Sequence, residues 1–213
     1  MKQKFFAEFL GTAFLLMIVV GSGIMGETLA QGNEAVALLA NSIATGAGLY
    51  VLIQCLAPLS GAHLNPAVSL LEALWGRLNG KTLLVYWIAQ VLGAVTGVWI
   101  THGMFQKAVF QIASKNRSFP HMWLSECIAT FGLACVIALS GKKRPDATPA
   151  CVAAYITAAY WFTSSTSFAN PVVTIARALT NTFCGIAPAG IAPFVVAQLL
   201  GAILAFLLLR KTD

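Results

Sequence analysis

The sequence predicts an all-α membrane protein in which six transmembrane helices and two short re-entrant helices form an inverted repeat. The first observation is composition: 58% of the 213 residues are hydrophobic and 9% are charged, whereas soluble domains carry about 25% charged residues. The second is the presence of long charge-free runs, and the third is a resemblance between the two halves of the chain. Composition therefore excludes soluble enzyme folds, and also disorder, which requires low hydrophobicity and high charge.

Charge-free runs supply most of the predicted spans. Asp, Glu, Lys and Arg are absent from residues 35–71, 82–106, 147–176 and 178–209, and about 20 apolar residues suffice to cross a bilayer. The predicted spans are Phe5–Ile24, a helix that follows the polar turn and ends at Leu59, Thr82–Phe105, Trp123–Ser140, Ala150–Ser164 and Ile191–Leu209. Because Glu8 interrupts the first apolar run, we expect that segment to be a retained helix and not a signal peptide.

Two apolar stretches, Leu64–Leu74 and Ala169–Leu179, are too short to cross, and each carries Asn-Pro at its start. Asn is a favoured N-cap residue and Pro fits the first helical turn. Asn65-Pro66 and Asn170-Pro171 therefore each predict the start of a short helix that follows a loop. Irregular backbone at membrane depth is tolerated only where it is buried in protein or lines a watery cavity, so the two segments predict a pore or a binding site.

The two halves of the chain repeat each other. FFAEFLGTAFLLMIVVGSG resembles WLSECIATFGLACVIALSG, with Glu8 matching Glu126, and LNPAVSLLEAL resembles ANPVVTIARAL. We interpret residues 1–213 as one domain with repeats at about 1–105 and 120–213. Since each half holds three spans, the second half enters the membrane from the opposite side, and the functional site is expected where the halves meet at mid-membrane.

Basic residues in the connectors predict the orientation. With the N-terminus inside, the cytoplasmic side carries Lys2, Lys4, Arg77, Lys81, Lys142, Lys143, Arg144, Arg210 and Lys211, and the outer side carries Lys107, Lys115 and Arg117. Excess Lys and Arg mark the cytoplasmic side, so both termini are predicted to be cytoplasmic. Because these residues lie in short connectors, the net charge of +6 is not taken to indicate a nucleic-acid partner.

Enzyme chemistry has no support in the sequence. The five cysteines, Cys55, Cys127, Cys135, Cys151 and Cys184, have no metal-ligand spacing and fit apolar packing. Cys/His clusters, Gly-rich phosphate loops and nucleophile arrangements are likewise missing from the sequence. We therefore expect neither a metal nor a cofactor.

SGAHLNPAV in the first half, together with the second Asn-Pro, resembles the aquaporin and glycerol-facilitator family. The resemblance covers essentially the whole chain, including Glu8 and Glu126. It implies a right-handed aquaporin-like bundle, a homotetramer in the bacterial inner membrane, and passive conduction of water and small neutral solutes. The chain departs from the family at Val172, where the second motif reads Asn-Pro-Val, and at Val173, where an arginine is usual.

The pore centre is expected at Asn65, Pro66, Ala67, Asn170, Pro171 and Val172. If each Asn Oδ1 caps its own helix, the Nδ2 amide is left to donate into the lumen, and the positive ends of two helix dipoles repel cations. Backbone carbonyls of the preceding loops are expected to form a row of acceptors; the residues are Gly61, Ala62, His63, Thr166 and Phe168.

Four positions of the family's outer constriction, carried over by spacing, are Thr45, Ala158, Ser167 and Val173. All four are small and uncharged, so the resemblance implies a wide opening without a fixed cation. Arg177 lies one turn beyond Val173 on the same helix face. Its guanidinium either reaches the outer mouth or turns to the surface or to a carbonyl or carboxylate partner.

Glu8 and Glu126 lie within predicted spans, where acidic side chains often mark functional sites. A proton relay is one interpretation. We favour structural acceptors, because each half has one glutamate at an equivalent position near a re-entrant loop whose backbone N–H groups need partners.

The variant NPVVTIAR resembles a bacterial aquaglyceroporin-like subgroup associated with arsenic resistance, which implies arsenous or methylated arsenic species among the candidate substrates. Two other classes remain as alternatives. One is an anion or weak-acid channel of the formate/nitrite type, also a six-span inverted repeat. The other is a coupled secondary transporter, which needs ionisable residues at the midplane.

Overall fold

The structure is a computed structural model that describes residues 1–210, and this part of the chain is helical, with no strand. Its eight α-helices are α1 Lys2–Leu29, α2 Glu34–Ser60, α3 Pro66–Leu74, α4 Gly80–Met104, α5 Pro120–Lys143, α6 Thr148–Phe162, α7 Pro171–Arg177 and α8 Ile191–Leu209. Two 3-10 turns, Pro145–Ala147 and Pro188–Gly190, precede α6 and α8. The all-α prediction of six longer and two short helices is confirmed.

Several helices differ from the predicted spans at their ends. The first helix continues five residues past Ile24, and α5 continues through Lys143, because polar residues at the membrane surface do not end a helix. Pro145 follows α5 and cannot continue it. The short helix α7 ends at Arg177, two residues before the predicted Leu179.

By length and composition, five segments in the described part of the chain are able to cross a bilayer. They are Lys2–Leu29, Glu34–Ser60, Gly80–Met104, Pro120–Lys143 and Pro188–Leu209. With 15 residues, α6 is shorter, about 22 Å long at the usual rise per residue. Large apolar side chains, including Leu84, Ile88, Leu92, Leu200, Leu204 and Leu208, are exposed on the outside of the bundle, as expected for a surface that faces lipid.

Two matching helix packings form the scaffold. In the first half α1 packs against α4 and α2, and in the second half α5 packs against α8 and α6. The short helices α3 and α7 contact each other, and each also contacts both α4 and α8. They therefore lie at the junction of the two halves.

Glycines allow the paired long helices to approach closely. A Cβ at Gly93 or Gly97 of α4 would collide with the carbonyl oxygens of Phe9 and Ala13 in α1, and a Cβ at Gly201 of α8 would collide with Cys127 of α5. In both halves, backbone is packed against backbone at these points, so α1, which carries Glu8, lies close to α4, and α5, which carries Glu126, lies close to α8.

We predict that Gly97→Ala destabilises the protein. Overpacking of this kind typically costs about 1–3 kcal/mol, because the new methyl group meets main-chain atoms of α1 that cannot rotate away. Gly103 in the same helix has open space around its Cβ position, so Gly103→Ala is the matched control. The thermal midpoint in detergent should fall for the first variant and stay equal or rise for the second. Equal midpoints would contradict the packing argument.

Candidate functional site

The N-termini of α3 and α7 meet tip to tip. Asn65 Oδ1 accepts a hydrogen bond from the N–H of Ala67 at 2.9 Å, and Asn170 Oδ1 accepts from Val172 and Val173 at 3.1 and 3.4 Å. Both Asn residues have extended backbone, and Pro occupies the first helical position of each short helix. Each side chain therefore caps its own helix through its oxygen.

The Asn side chains also bond across the junction. Asn65 Nδ2 donates to the carbonyl of Ala169 at 2.8 Å, and Asn170 Nδ2 donates to the carbonyl of Leu64 at 2.9 Å. An amide nitrogen carries two hydrogens, so at most one per Asn remains for a molecule in the lumen. The prediction that the Asn amides donate only into the lumen is thus corrected: one N–H of each amide links the two halves of the protein.

A cavity of about 280 Å³, here called the pore cavity, surrounds this junction. Its polar part is formed by the two loops at residues 61–65 and 167–170 and by Thr45, and its apolar part includes Leu15, Val19, Leu49, Ile53, Leu133, Ile137, Val152, Ile156 and Val173. It also reaches Glu72 near the end of α3 and Arg177 at the end of α7. The cavity therefore extends past the paired Asn residues in both directions.

The loops before α3 and α7 have the same unusual backbone. Ala62 and Leu64 have φ angles of 48° and 49°, and Ser167 and Ala169 have 48° and 46°. In the described residues, no protein group donates to the carbonyl oxygens of Ala62, His63, Ser167 or Phe168. Those acceptors are free for molecules in the pore cavity. Thr166, also predicted in this row, lines a neighbouring cavity instead.

Glu8 holds the first loop. Its Oε1 accepts from the Ser60 hydroxyl at 2.6 Å and the His63 N–H at 2.9 Å, and its Oε2 accepts from the Leu64 N–H at 2.7 Å and Gln90 Nε2 at 2.8 Å. Glu8 is completely buried. Left-handed backbone at residues other than glycine costs free energy, so four charge-assisted hydrogen bonds help to stabilise the loop.

Glu126 repeats this arrangement in the second loop. It accepts from the Ser165 hydroxyl at 2.6 Å, from the N–H groups of Phe168 and Ala169 at 2.9 Å each, and from Gln198 Nε2 at 2.5 Å. Neither glutamate lines the pore cavity. With their oxygens occupied by donors, the two carboxylates fit a structural role and not a proton relay.

Gln90 and Gln198 are important residues that the sequence reasoning missed. Besides the glutamates, they donate to the hydroxyls of Ser69 and Thr174, which fastens α3 to α4 and α7 to α8. The available signal was a second internal repeat, AQVLGAV at residues 89–95 and AQLLGAI at 197–203, with a polar residue inside an apolar span.

At the predicted constriction, Thr45, Ser167 and Val173 line the pore cavity and are buried, but Ala158 does not. Ala158 is exposed on the outside of α6. Val152, Ile156 and Tyr160 face the cavity, and a residue midway between 156 and 160 lies on the opposite side of the helix. The placement of Ala158 was wrong, because an irregular loop separates α6 from Asn170 and spacing cannot be counted across it.

Tyr160 takes the place predicted for a small residue. Its hydroxyl lies 3.1 Å from Thr45 Oγ1, and the side chain is buried against the pore cavity. At the predicted constriction, one aromatic ring therefore lines the cavity in addition to Thr45, Ser167 and Val173. Ser167 Oγ is buried without a protein partner, so a hydroxyl is available there.

Arg177 is turned inwards. It is 2% exposed, its Nε donates to the carbonyl of Cys184, and its guanidinium carbon lies 3.4 Å from the centroid of the Phe168 ring. Of the two alternatives left open by the sequence, the structure brings Arg177 to the pore cavity and also gives it a carbonyl partner.

Arg117 from the α4–α5 connector joins Arg177, although the sequence reasoning assigned it only a role in orientation. It is 6% exposed, its Nε donates to Gly185 O at 3.1 Å, and its guanidinium carbon lies 5.5 Å from the Phe168 centroid. Burial and, second, the charge of Arg177 lower the pKa of Arg117 to about 10, so the side chain stays cationic at neutral pH.

A second cavity, of about 360 Å³, contains both arginines. We call it the arginine vestibule; its lining is Glu34, Ala35, Leu38, Asn41, Lys115, Arg117, Trp161, Thr166, Arg177 and Phe183. Arg177 lines both cavities, so the vestibule adjoins the end of the pore cavity. Burial, followed by the charge of Arg117, also lowers the pKa of Lys115 in this vestibule.

Comparisons with known proteins agree on one family. The family described as "Major intrinsic protein" matches residues 1–167. The chain is 52% identical to Aquaglyceroporin AqpS of Rhizobium meliloti (strain 1021) over 96% of its own length and 87% of the relative. It is 36% identical to Aquaporin Z of Brucella melitensis over 48% of this chain and 44% of the relative.

A solved structure shares the fold. The X-ray structure of the aquaglyceroporin from Plasmodium falciparum matches with a TM-score of 0.79 and 22% sequence identity, covering 99% of this chain and 96% of that one. The predicted fold class is thereby confirmed.

We predict that Glu126→Gln destabilises the second loop. The amide keeps the shape of the side chain but places an NH₂ group against backbone N–H donors, and losing a charged hydrogen-bond acceptor costs about 1.5–3 kcal/mol. Glu27 is exposed at the end of α1, so Glu27→Gln is the control. Thermal unfolding in detergent should detect the loss in the first variant alone. A wild-type midpoint for Glu126→Gln would show that the four hydrogen bonds contribute little.

Proposed function

Because the chain belongs to the major intrinsic protein family, that of the aquaporins and aquaglyceroporins, we propose that it is a passive membrane channel for water and small neutral solutes such as glycerol. One observation carries the proposal: two Asn-capped half-helices meet tip to tip inside a cavity lined by free carbonyls on one side and apolar side chains on the other. Such a lining suits a molecule with both hydroxyl and hydrocarbon groups.

At the pore centre, Asn65 and Asn170 each offer a remaining amide hydrogen to a passing oxygen. A water molecule that accepts from both cannot also relay a proton at that point. The two helix N-termini add positive potential, each equivalent to about half a charge, which disfavours cations. Pro66, Ala67, Pro171 and Val172 form the first turns that keep these dipoles aimed at the junction.

The row of acceptors lets a solute exchange hydrogen bonds with water for hydrogen bonds with the protein. Ala62, His63, Ser167 and Phe168 line the pore cavity, and their carbonyl oxygens have no donor in the described residues. Gly61 also lines the cavity. Carbon atoms of the solute would contact the apolar wall opposite, so a polyol is desolvated at low cost.

The constriction sets the size of the solute in this proposal. Val173 lacks the bulk and charge of the arginine that is usual in the family, whereas Tyr160 adds an aromatic ring on the α6 side of the cavity. A pore bounded by Thr45, Tyr160, Ser167 and Val173 is polar on three sides, and the nearby Arg177 adds a positive charge to the same cavity. Neutral hydroxyl compounds larger than water fit such a lining, and arsenous or methylated arsenic acids are among them.

Further properties rest on the family and on charge. We propose a homotetramer with one pore per subunit in the bacterial inner membrane, with both termini cytoplasmic, one channel domain over residues 1–213, and repeats at about 1–105 and 120–213. Lys211, one of the basic residues counted for orientation, lies outside the described residues. In this orientation the arginine vestibule opens to the outside, because it contains the connector that bears Lys115 and Arg117.

We predict that Asn65→Asp lowers water and glycerol flux and raises cation leak. Aspartate can still cap α3, but it has no N–H for the Ala169 carbonyl and brings a negative charge to the pore centre. Asn79 also caps a helix, α4, at an exposed site, so Asn79→Asp is a matched control. The measurement is light scattering by proteoliposomes after osmotic shock, combined with a dye assay for cation leak. The proposed function fails if wild-type vesicles are no more permeable than empty ones.

We predict opposite effects at two positions of the constriction. Val173→Arg should reduce the entry of solutes bulkier than glycerol while largely sparing water, and Tyr160→Ala should speed their entry. Ala158 faces away from the cavity, so Ala158→Phe should change neither flux. Swelling rates in water, glycerol and a five-carbon polyol, normalised to folded protein in the vesicles, distinguish these cases. Slower polyol entry in Ala158→Phe would show that residue 158 lines the pore after all.

A further inference from the structure

The arginine vestibule holds two buried guanidinium groups that form no ion pair with the described residues. In the described part of the chain, neither Arg117 nor Arg177 lies within ion-pair distance of a carboxylate. Glu34 lines the vestibule but forms no ion pair, and Glu126 acts on Arg117 only from beyond ion-pair distance while its oxygens accept from four donors. Buried charges are usually paired, so this arrangement requires an explanation.

The protein positions both guanidinium groups without neutralising them. Consecutive carbonyls of Cys184 and Gly185 accept from the Nε atoms of Arg177 and Arg117, and both charged carbons lie within 5.5 Å of the Phe168 centroid. These contacts fix the side chains in place. Carbonyl dipoles and a ring face reduce the cost of burial but leave the positive charges intact.

Donor groups remain open towards the cavity. The terminal nitrogens of Arg177 make no hydrogen bond to the described residues, and Arg117 makes one long contact, from Nη1 to Ser165 O at 3.4 Å. The unbonded terminal nitrogens of Arg177 and Nη2 of Arg117 are not fully buried. The hydroxyl of Thr166, which lines the same vestibule, is also without a protein partner. Several donors and the positive groups of Arg117, Arg177 and Lys115 therefore line one space.

We propose that the arginine vestibule binds one small monovalent oxyanion, of the carboxylate or sulfonate class, between Arg117 and Arg177. Planar guanidinium groups match the oxygens of such anions and form strong charge-assisted hydrogen bonds with them. The cavity, at about 360 Å³, accommodates an anion of a few heavy atoms together with water. Binding supplies the counter-charge that the protein omits.

An anion in this site also lies in the path of neutral solutes. Arg177 lines the end of the pore cavity as well as the vestibule, so an occupied site narrows the approach to Val173 and Tyr160. Bound anion therefore slows glycerol entry from the vestibule side. This second effect rests on the proposed channel function, whereas binding itself does not.

Binding is tested on purified protein in detergent with methanesulfonate, which stays ionised at neutral pH and cannot cross as a neutral acid. Ligand-observed saturation-transfer NMR at constant ionic strength measures its affinity, with dimethyl sulfone as the neutral analogue of similar size. Wild-type protein should bind methanesulfonate saturably and dimethyl sulfone not at all. Arg117→Gln should weaken binding about ten- to hundredfold, the range for losing one charged hydrogen-bond partner.

Two further variants keep the result interpretable. Lys107→Gln removes a positive charge from an exposed position of the same connector and should bind as wild type, which separates a local site from general attraction. Arg117→Lys keeps the charge but loses the planar donors, so its affinity should fall between wild type and Arg117→Gln. Absent saturable binding in the wild type, or equal binding in Arg117→Gln of unchanged thermal stability, would overturn the proposal.

The effect on flux is measured in proteoliposomes as glycerol swelling with methanesulfonate or chloride outside. Methanesulfonate should slow wild-type swelling and leave Arg117→Gln unaffected. Binding without slowing would overturn the second effect alone. Vesicles that conduct no solute in any buffer would remove the proposed function while leaving the anion site in place, so the two failures are distinguishable.

Discussion

The pore depends on two buried carboxylates that bind backbone. Glu8 and Glu126 each accept from two consecutive backbone N–H groups of a loop that lies at membrane depth in left-handed turns. Both carboxylates are completely buried and lie outside the lining of the pore cavity, so they supply acceptors to N–H groups that the protein interior would otherwise leave unpaired. The same loops line the pore cavity, and carbonyl oxygens of Ala62, His63, Ser167 and Phe168 have no donor in the described residues, so the glutamates hold the backbone that supplies these acceptors.

Much of this arrangement was predictable from sequence, because its elements have local signatures. Asn followed by Pro at the start of an apolar stretch favours a capped helix, and a glutamate in an apolar span indicates a buried acceptor. Ala158 was misplaced because its position depends on the path of an irregular loop, which no periodicity describes. Arg117 was missed because a connector carries no repeat, and only tertiary structure brings it to Phe168.

The two halves match in backbone bonding and differ in the side chain that follows. His63 in the first loop bonds through Nδ1 to Ser69 and packs edge-on against Tyr86. At the equivalent position of the second loop, Phe168 offers its ring to Arg177 and Arg117. One end of the cavity therefore carries the His63–Ser69 pair and the Glu72 carboxylate, and the other carries positive charge. The electrostatic potential therefore differs between the two ends of the channel, although its backbone is nearly symmetric.

The cross-junction bonds have a consequence for how the sequence can vary. Asn65 and Asn170 each bind a main-chain carbonyl of the opposite loop, and a main-chain carbonyl is present whatever side chain the residue bears. The acceptor residues already differ, leucine at position 64 and alanine at 169. After a gene duplication the residues at positions 64 and 169 are therefore free to diverge without loss of these hydrogen bonds. Each Asn is constrained, because its side chain supplies both the cap of its own helix and the donor to the opposite loop.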